Sequence, residues 1–234
     1  MTWRRVWVRV RQVTEEAVAR PLRIEYAGAC YHVMNRGNQR QVVFRQVRDY
    51  ELFLGKLATS ATAFGLDVLA YCLMPNHFHL YVRTPQGNLS RFMQGLLTAF
   101  TVSVNRRRRS SGHLFQGRFK AELVEREKYG NEVSRYLHLN PARTAAARDL
   151  AAAERRALLC GYRWSSFAAC TGLRTCPPWL NRAETLVSFG GATAAGMAAY
   201  REFVEEGLMQ GVENPAQVVA VRSVIGSEPF LDRV

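Results

Sequence analysis

Residues 66–83 read LDVLAYCLMPNHFHLYVR, and this stretch constrains the fold more than any other. Leu66 to Met74 is apolar almost throughout, the pattern of a strand covered on both faces. Pro75-Asn76 makes a turn. From His77 to Arg83 the pattern alternates: His77, His79, Tyr81 and Arg83 point one way, and Phe78, Leu80 and Val82 the other. The pair is a hairpin with one face committed to a core.

The flanking segments supply that core. Asp49 can cap a helix whose apolar positions Tyr50, Phe53, Leu54, Leu57, Ala61 and Phe64 keep helical spacing, and Gly65 stops it. Leu89, Phe92, Met93, Leu96, Leu97, Phe100 and Val104 form the clearest helical stripe of the chain. Ala29–Asn35 reads as a strand ended by Arg36-Gly37-Asn38. After a basic loop around Arg106, Phe119–Val124 reads as a short strand, and Lys128–Asn140 as a helix stopped by Pro141. The order β-α-β-β-α-β-α predicts an α+β fold. Its first six elements match the ferredoxin-like, RRM-like arrangement, an antiparallel sheet with two helices on one face and the other face open to a ligand. Residues 1–17, Arg-rich and then acidic, read as an N-terminal extension, 18–145 as the main domain and 146–234 as a small helical C-terminal extension. The latter includes an Ala-rich helix and a segment from Ala194 to Leu208.

Charge narrows the partners. The net charge of +13 is unevenly placed: residues 1–145 hold 23 Lys and Arg against 10 Asp and Glu, whereas 146–234 hold 9 of each. No acid occurs between Val68 and Ala121. A one-sided field of this kind attracts a polyanion. No apolar run approaches the ~18 residues that span a bilayer, and the N-terminus lacks the apolar core of a signal peptide, so a cytoplasmic, membrane-free protein is expected. Five cysteines without a CxxC argue against a disulfide framework or structural zinc.

On the open face, His77 and His79 stand two apart, a spacing that can chelate one metal ion; the plainer reading is two solvated histidines on a half-exposed strand. Tyr136 and Asn140 are four apart on the last helix, hence on one face. A tyrosine can attack a phosphodiester, and the Asn140 amide oxygen would complete a site begun by two histidines. Read plainly, Tyr136 is a packed aromatic and Asn140 a helix cap before Pro141. His138 faces elsewhere and reads as structural, while His32 and His113 are open. Arg106, Arg107, Arg108 and Arg109, then Arg118 and Lys120 among Phe115 and Phe119, combine phosphate contacts with surfaces for base stacking, with Arg83 adding charge on the histidine face. A solvated charge run is the alternative.

PLRIEY…YHVMNRGN, LMPNHFHLYV, HLFQGRFKAELVE, YLHLNPARTA and YRWSSF together resemble the IS200-like transposases, and within them the REP-associated tyrosine transposase branch of the HUH single-strand nucleases, over about Arg20–Gly172. The resemblance implies that His77, His79 and Asn140 hold a divalent Mg²⁺ or Mn²⁺. It also implies that Tyr136, on a catalytic helix across the open face, is the nucleophile forming a 5′-phosphotyrosine. The implied substrate is single-stranded or hairpin DNA such as REP-like palindromes, handled by a monomer or homodimer. At the ends the chain departs from the pattern: family members begin near Val18, and longer relatives continue past VIGSEPFLDRV into a helix-turn-helix-like domain. The competing expectation is a non-catalytic RRM-like RNA-binding module, for which Tyr31 and Tyr81 would stack bases and the two histidines would have no role.

Overall fold

The computed structural model describes residues 23–210, 220–221 and 223–234; the N-terminal extension 1–17 lies outside the described residues. Strand β1 (Ala29–Arg36) leads through a short turn to helix α1 (Val47–Phe64), the hairpin β2 (Asp67–Met74) and β3 (His77–Thr84), helix α2 (Leu89–Arg108), strand β4 (Lys120–Val124) and helix α3 (Arg126–Leu139). The strands are ordered β2-β3-β1-β4, with all three of these pairings antiparallel. This is the ferredoxin-like order the sequence predicts.

Local chemistry sets the boundaries. Asp49 is not the cap of α1 but lies one turn in, where its carboxylate accepts the backbone N–H groups of Arg45 (2.8 Å) and Gln46 (3.2 Å). Gly65, at φ 60°, closes the helix in the left-handed conformation. Helix α2 runs further than its apolar stripe: Arg106, Arg107 and Arg108 are its last turn, and Arg109 is its left-handed cap. Arginine is a good helix former, and cations are favoured at a helix C-terminus, so a run that reads as a loop continues the helix.

Two cores flank the sheet. Tyr31 and Val33 of β1 and Phe78, Leu80 and Val82 of β3 pack under Phe53, Leu57, Phe92, Leu96 and Phe100 of α1 and α2. On the other face, Cys30, Cys72, Met74, Tyr81 and Val124 pack against Val133 and Leu137 of α3. The last helix therefore roofs much of the face that the histidines share.

The described part of 146–234 carries helices at Ala152–Gly161 and Ala194–Gln210, and it also extends the sheet. Beside β2, the Leu73 N–H donates to the Trp164 carbonyl and the Ser166 N–H to the Tyr71 carbonyl. At the far edge, short strands β5 (Ala220–Val221) and β6 (Val224–Ile225) extend the order to six, with β6 parallel to β4. These contacts shorten the stretches of unpaired edge backbone that invite aggregation. The extension also grips α3. His138 hydrogen-bonds Ser166 (2.7 Å) and the Tyr200 hydroxyl (2.9 Å), and that hydroxyl bonds Ser134 (2.9 Å), all four side chains being buried. Burial pushes the His138 imidazole down to about 3, so it is a neutral structural group, as its place on the helix suggests. Among the described residues no helix is long and apolar enough to cross a membrane, and none of the five cysteines is in a disulfide.

Candidate active site

β3 delivers both histidines from the turn outward. His77 is the first residue of the strand, and its Nδ1 lies 2.7 Å from the side-chain oxygen of Asn76 in the turn. An amide oxygen only accepts, so Nδ1 carries the proton and Nε2 keeps its lone pair. Two residues on, His79 is almost fully buried, and its ring centroid lies 5.1 Å from that of His77. Burial pushes both imidazoles down, His77 to about 4 with Arg36 contributing, and His79 well below its usual value with help from His32, His77 and Arg36. Both are therefore neutral near pH 7, the form that ligates a metal.

His32, left open by the sequence, belongs to this site. It is buried on β1, its Nε2 lies 2.9 Å from His79 Nδ1, and its Nδ1 lies 2.7 Å from a carboxylate oxygen of Glu122 on β4. The His32 and His79 rings stack with centroids 5.2 Å apart and planes 10° apart. Nothing local in the sequence marks Glu122 or His32; their signal is cross-strand, because His32 sits opposite Glu122 in the β1–β4 register.

Helix α3 brings Tyr136 onto this cluster. Its ring stands edge-on to His32 and to His79, with centroids 6.0 Å away in both cases. Burial pushes the phenol up; the guanidinium groups of Arg143 and Arg36 pull it down, and Glu122 opposes them. Arg143, just past the end of α3, lies 5.3 Å over the Tyr136 ring. Arg36 faces the site from β1, opposite His77 in the β1–β3 register, and its buried Nε has no partner among the described residues. Asn140 caps α3: its amide N–H groups donate to the carbonyls of Tyr136 (3.0 Å) and Leu137 (3.2 Å). No protein donor bonds its amide oxygen among the described residues, so capping leaves that oxygen available.

The groups here that could hold a divalent cation are His77, with its Nε2 bare, His79 two residues on along the same face, and the Asn140 oxygen, a hard donor one helical turn from Tyr136. Among the described residues no group of three or more His, Cys, Asp or Glu is placed to hold a metal. A cation at His77 and His79 would thus take its remaining ligands from an amide, water or phosphate oxygen.

The basic residues divide. Arg106, Arg109, Arg118 and Lys120 are exposed. Arg107 and Arg108 instead pair with the buried carboxylate of Asp49, and Arg108 also donates to the Val43 carbonyl at 2.7 Å. Arg83 pairs with Asp67 (2.8 Å) and Glu184 (2.9 Å). It lies six residues along β3 from His77, about 20 Å at ~3.3 Å per residue. Phe115 is buried against Phe78, and the Phe119 ring is covered by the Arg23 guanidinium at 3.8 Å, so neither offers the free stacking face the sequence suggests. Tyr31 and Tyr81 are buried as well, which removes the platform an RRM-like RNA module would use.

Residues 26–140 match the family described as "Transposase IS200 like". A solved structure of a REP-associated tyrosine transposase bound to a REP hairpin superposes with a TM-score of 0.54 at 15% identity, over 69% of this chain and 89% of that one, which shows a shared fold. A candidate transposase from Deinococcus radiodurans R1 aligns at 20% identity over 49% of this chain and 93% of its own, with a TM-score of 0.37. No curated protein matches the chain.

Proposed function

Because residues 26–140 match the IS200-like transposase family, we propose that this protein is a single-strand DNA endonuclease and strand transferase that works through a tyrosine. The observation that carries the reading is the Tyr136 ring edge-on to the buried histidine cluster, 6.0 Å from His79. A tyrosine held by a roofing helix against the histidine cluster suits in-line attack on a phosphodiester.

His77, His79 and Asn140 would hold Mg²⁺ or Mn²⁺, which when bound supplies positive charge that polarises the scissile phosphate. Arg36 and Arg143 add positive charge around the Tyr136 phenol, where negative charge would develop on the attacked phosphate. Tyr136 loses its proton to solvent and its oxygen bonds the phosphorus; the bond from phosphorus to the 3′ sugar oxygen breaks, and that oxygen takes a proton from solvent to leave as a free 3′-OH. The product is a 5′-phosphotyrosine. A phenolate, with a parent pKa of ~10, leaves more readily than a sugar alkoxide, so a second 3′-OH can reverse the step without ATP. This suits strand transfer better than hydrolysis. The neighbour with the REP hairpin and the excess of positive charge support hairpin or single-stranded DNA as substrate. Exposed Arg106, Arg109, Arg118 and Lys120 would take its phosphates; Arg83, Arg107 and Arg108 would act only at the cost of their ion pairs. A cytoplasmic protein, monomeric or dimeric, would suit such DNA strand transfer.

Incubating the purified chain with a library of labelled single-stranded hairpins, with Mg²⁺, with Mn²⁺ or with EDTA, tests the reading. A covalent protein–DNA adduct that forms with either cation and is lost in EDTA is expected. Binding without any adduct across the library would reduce the protein to a binding module.

A further inference from the structure

We propose that Glu122 and His32 are positioning residues that lock His79 into one tautomer, with its proton on Nδ1 and Nε2 bare, so that the sheet presents a preformed ligand. The inference rests on the reading of His77 and His79 as cation ligands.

The donor order follows from the carboxylate when His32 carries a single proton. The Glu122 carboxylate only accepts, so the 2.7 Å contact places that proton on Nδ1. His32 Nε2 is then an acceptor, the 2.9 Å contact has His79 Nδ1 donate, and the only unbonded nitrogen left is His79 Nε2. An imidazolium at His32 would instead donate from Nε2 and leave the His79 proton on Nε2, an arrangement that the ¹⁵N shifts distinguish. Three adjacent strands build this chain. Glu122 on β4 is directly opposite His32 on β1, and His32 is diagonal to His79, whose own partner on β1 is Met34. Both rings are buried and stacked 10° from coplanar, so neither can rotate without opening a packed sheet face. His77 is oriented differently, by Asn76 in a turn. The two histidines of one motif thus owe their tautomers to separate supports, a strand-borne relay and a local turn. Partners that fix the far nitrogen of a ligating histidine typically carry about 10–100-fold of metal affinity.

Three variants and two readouts test it. Side-chain ¹⁵N shifts of the metal-free protein report the His79 tautomer directly, and titration with Mn²⁺ reports affinity. The wild type should show a single Nδ1–H tautomer at His79. His32→Phe keeps a stacking ring but removes the acceptor. It should move the His79 proton to Nε2 in a measurable fraction of molecules and weaken Mn²⁺ about tenfold or more. His32→Gln, which restores an acceptor oxygen, should recover part of both. Glu122→Gln, half-buried and nearly isosteric, should give mixed tautomers at His32 and an intermediate loss. Unchanged His79 shifts and Mn²⁺ affinity within twofold in both His32→Phe and Glu122→Gln would overturn the proposal. Mixed tautomers in the wild type would overturn the relay alone. A single wild-type tautomer without any Mn²⁺ binding would overturn the cation reading, and with it the ligand role given to the relay.

Discussion

The Tyr136 ring meets the His79 imidazole edge-on, with centroids 6.0 Å apart and planes 89° apart. That contact separates two tyrosines of one helix. Tyr129 lies seven residues earlier on α3 and packs instead beside the apolar cluster around Val133 and Tyr81. Only Tyr136 shares the space in front of the histidines. Tyr136→Phe removes one hydroxyl and little volume, so it should abolish the covalent adduct while hairpin and Mn²⁺ affinities stay within about twofold. Tyr129→Phe should keep the adduct. Mass spectrometry of a trapped suicide substrate decides: a nucleotide on Tyr129, or an adduct surviving in Tyr136→Phe, sinks the assignment.

Arg143 lies 5.3 Å over the face of the same ring. A cation there stabilises negative charge on the phenol oxygen and on the phosphate it attacks. Cation–π contacts of this kind are worth about 0.5–2 kcal/mol. Arg143→Met keeps the length and apolar packing of the stem and should slow cleavage by about threefold to thirtyfold, mainly in kcat. Single-turnover rates at saturating hairpin measure this; an effect confined to KM would make Arg143 a plain phosphate contact.

What could be read beforehand follows from how local each signal is. The hairpin, both core helices and the 77/79 spacing are written in windows of fewer than twenty residues, where side-chain period and turn residues decide the outcome. The Glu122–His32–His79 chain joins residues 47 and 90 apart through strand register, which one sequence does not display. The aromatic–basic segment misleads for a related reason. Phe115 looks exposed among Gly, Gln and Arg, yet Gly37 bridges to it and its ring enters the core beside Phe78. Strands β5 and β6 are two residues each, below the length at which alternation is visible. Tertiary partners decided these elements, not local propensity.

The arginine run now divides into two roles with opposite signatures. Arg106 and Arg109 are exposed, whereas Arg108 ties the end of α2 to Asp49, a carboxylate that is 1% exposed and also anchors the start of α1. Arg106→Ala with Arg109→Ala should weaken all single strands by similar factors. It should also lower the slope of log K against log salt by about 1.4, at ~0.7 per phosphate contact. Their thermal unfolding should not move. Arg108→Ala should show the reverse, a loss of about 1–3 kcal/mol in urea from under-compensating a buried carboxylate, with little change in salt slope. A salt-slope change in Arg108→Ala at unchanged stability would put that residue on the DNA instead.

The closeness of α3 to the sheet depends on Gly130. A methyl group there would sit 2.6 Å from the Tyr81 hydroxyl oxygen, which is buried and has no hydrogen-bond partner among the described residues. Tyr81 is 3% exposed in the floor of the roofed face, beside a cavity that Gly130 and Ser134 also line, so relieving the contact takes a shift of the ring into that space or a retreat of the helix. Alanine is the better helix former by about 0.8–1 kcal/mol, so propensity alone predicts a gain. Overpacking costs about 1–3 kcal/mol and should win, leaving Gly130→Ala destabilised and, because Tyr136 rides on the same helix, slow in adduct formation. Tyr81→Phe deletes the one atom in the way and should be nearly neutral by itself, since the lost hydroxyl has no partner to abandon. In the double variant the clash is gone and the helix propensity of alanine remains. Tyr81→Phe/Gly130→Ala should then equal or exceed Tyr81→Phe in stability and recover the adduct rate. Urea melts of the four proteins give the coupling energy directly. Additive effects would show that α3 does not rest on Tyr81, and that the reach of Tyr136 to His79 is set from the other side, by the His138–Tyr200 contacts.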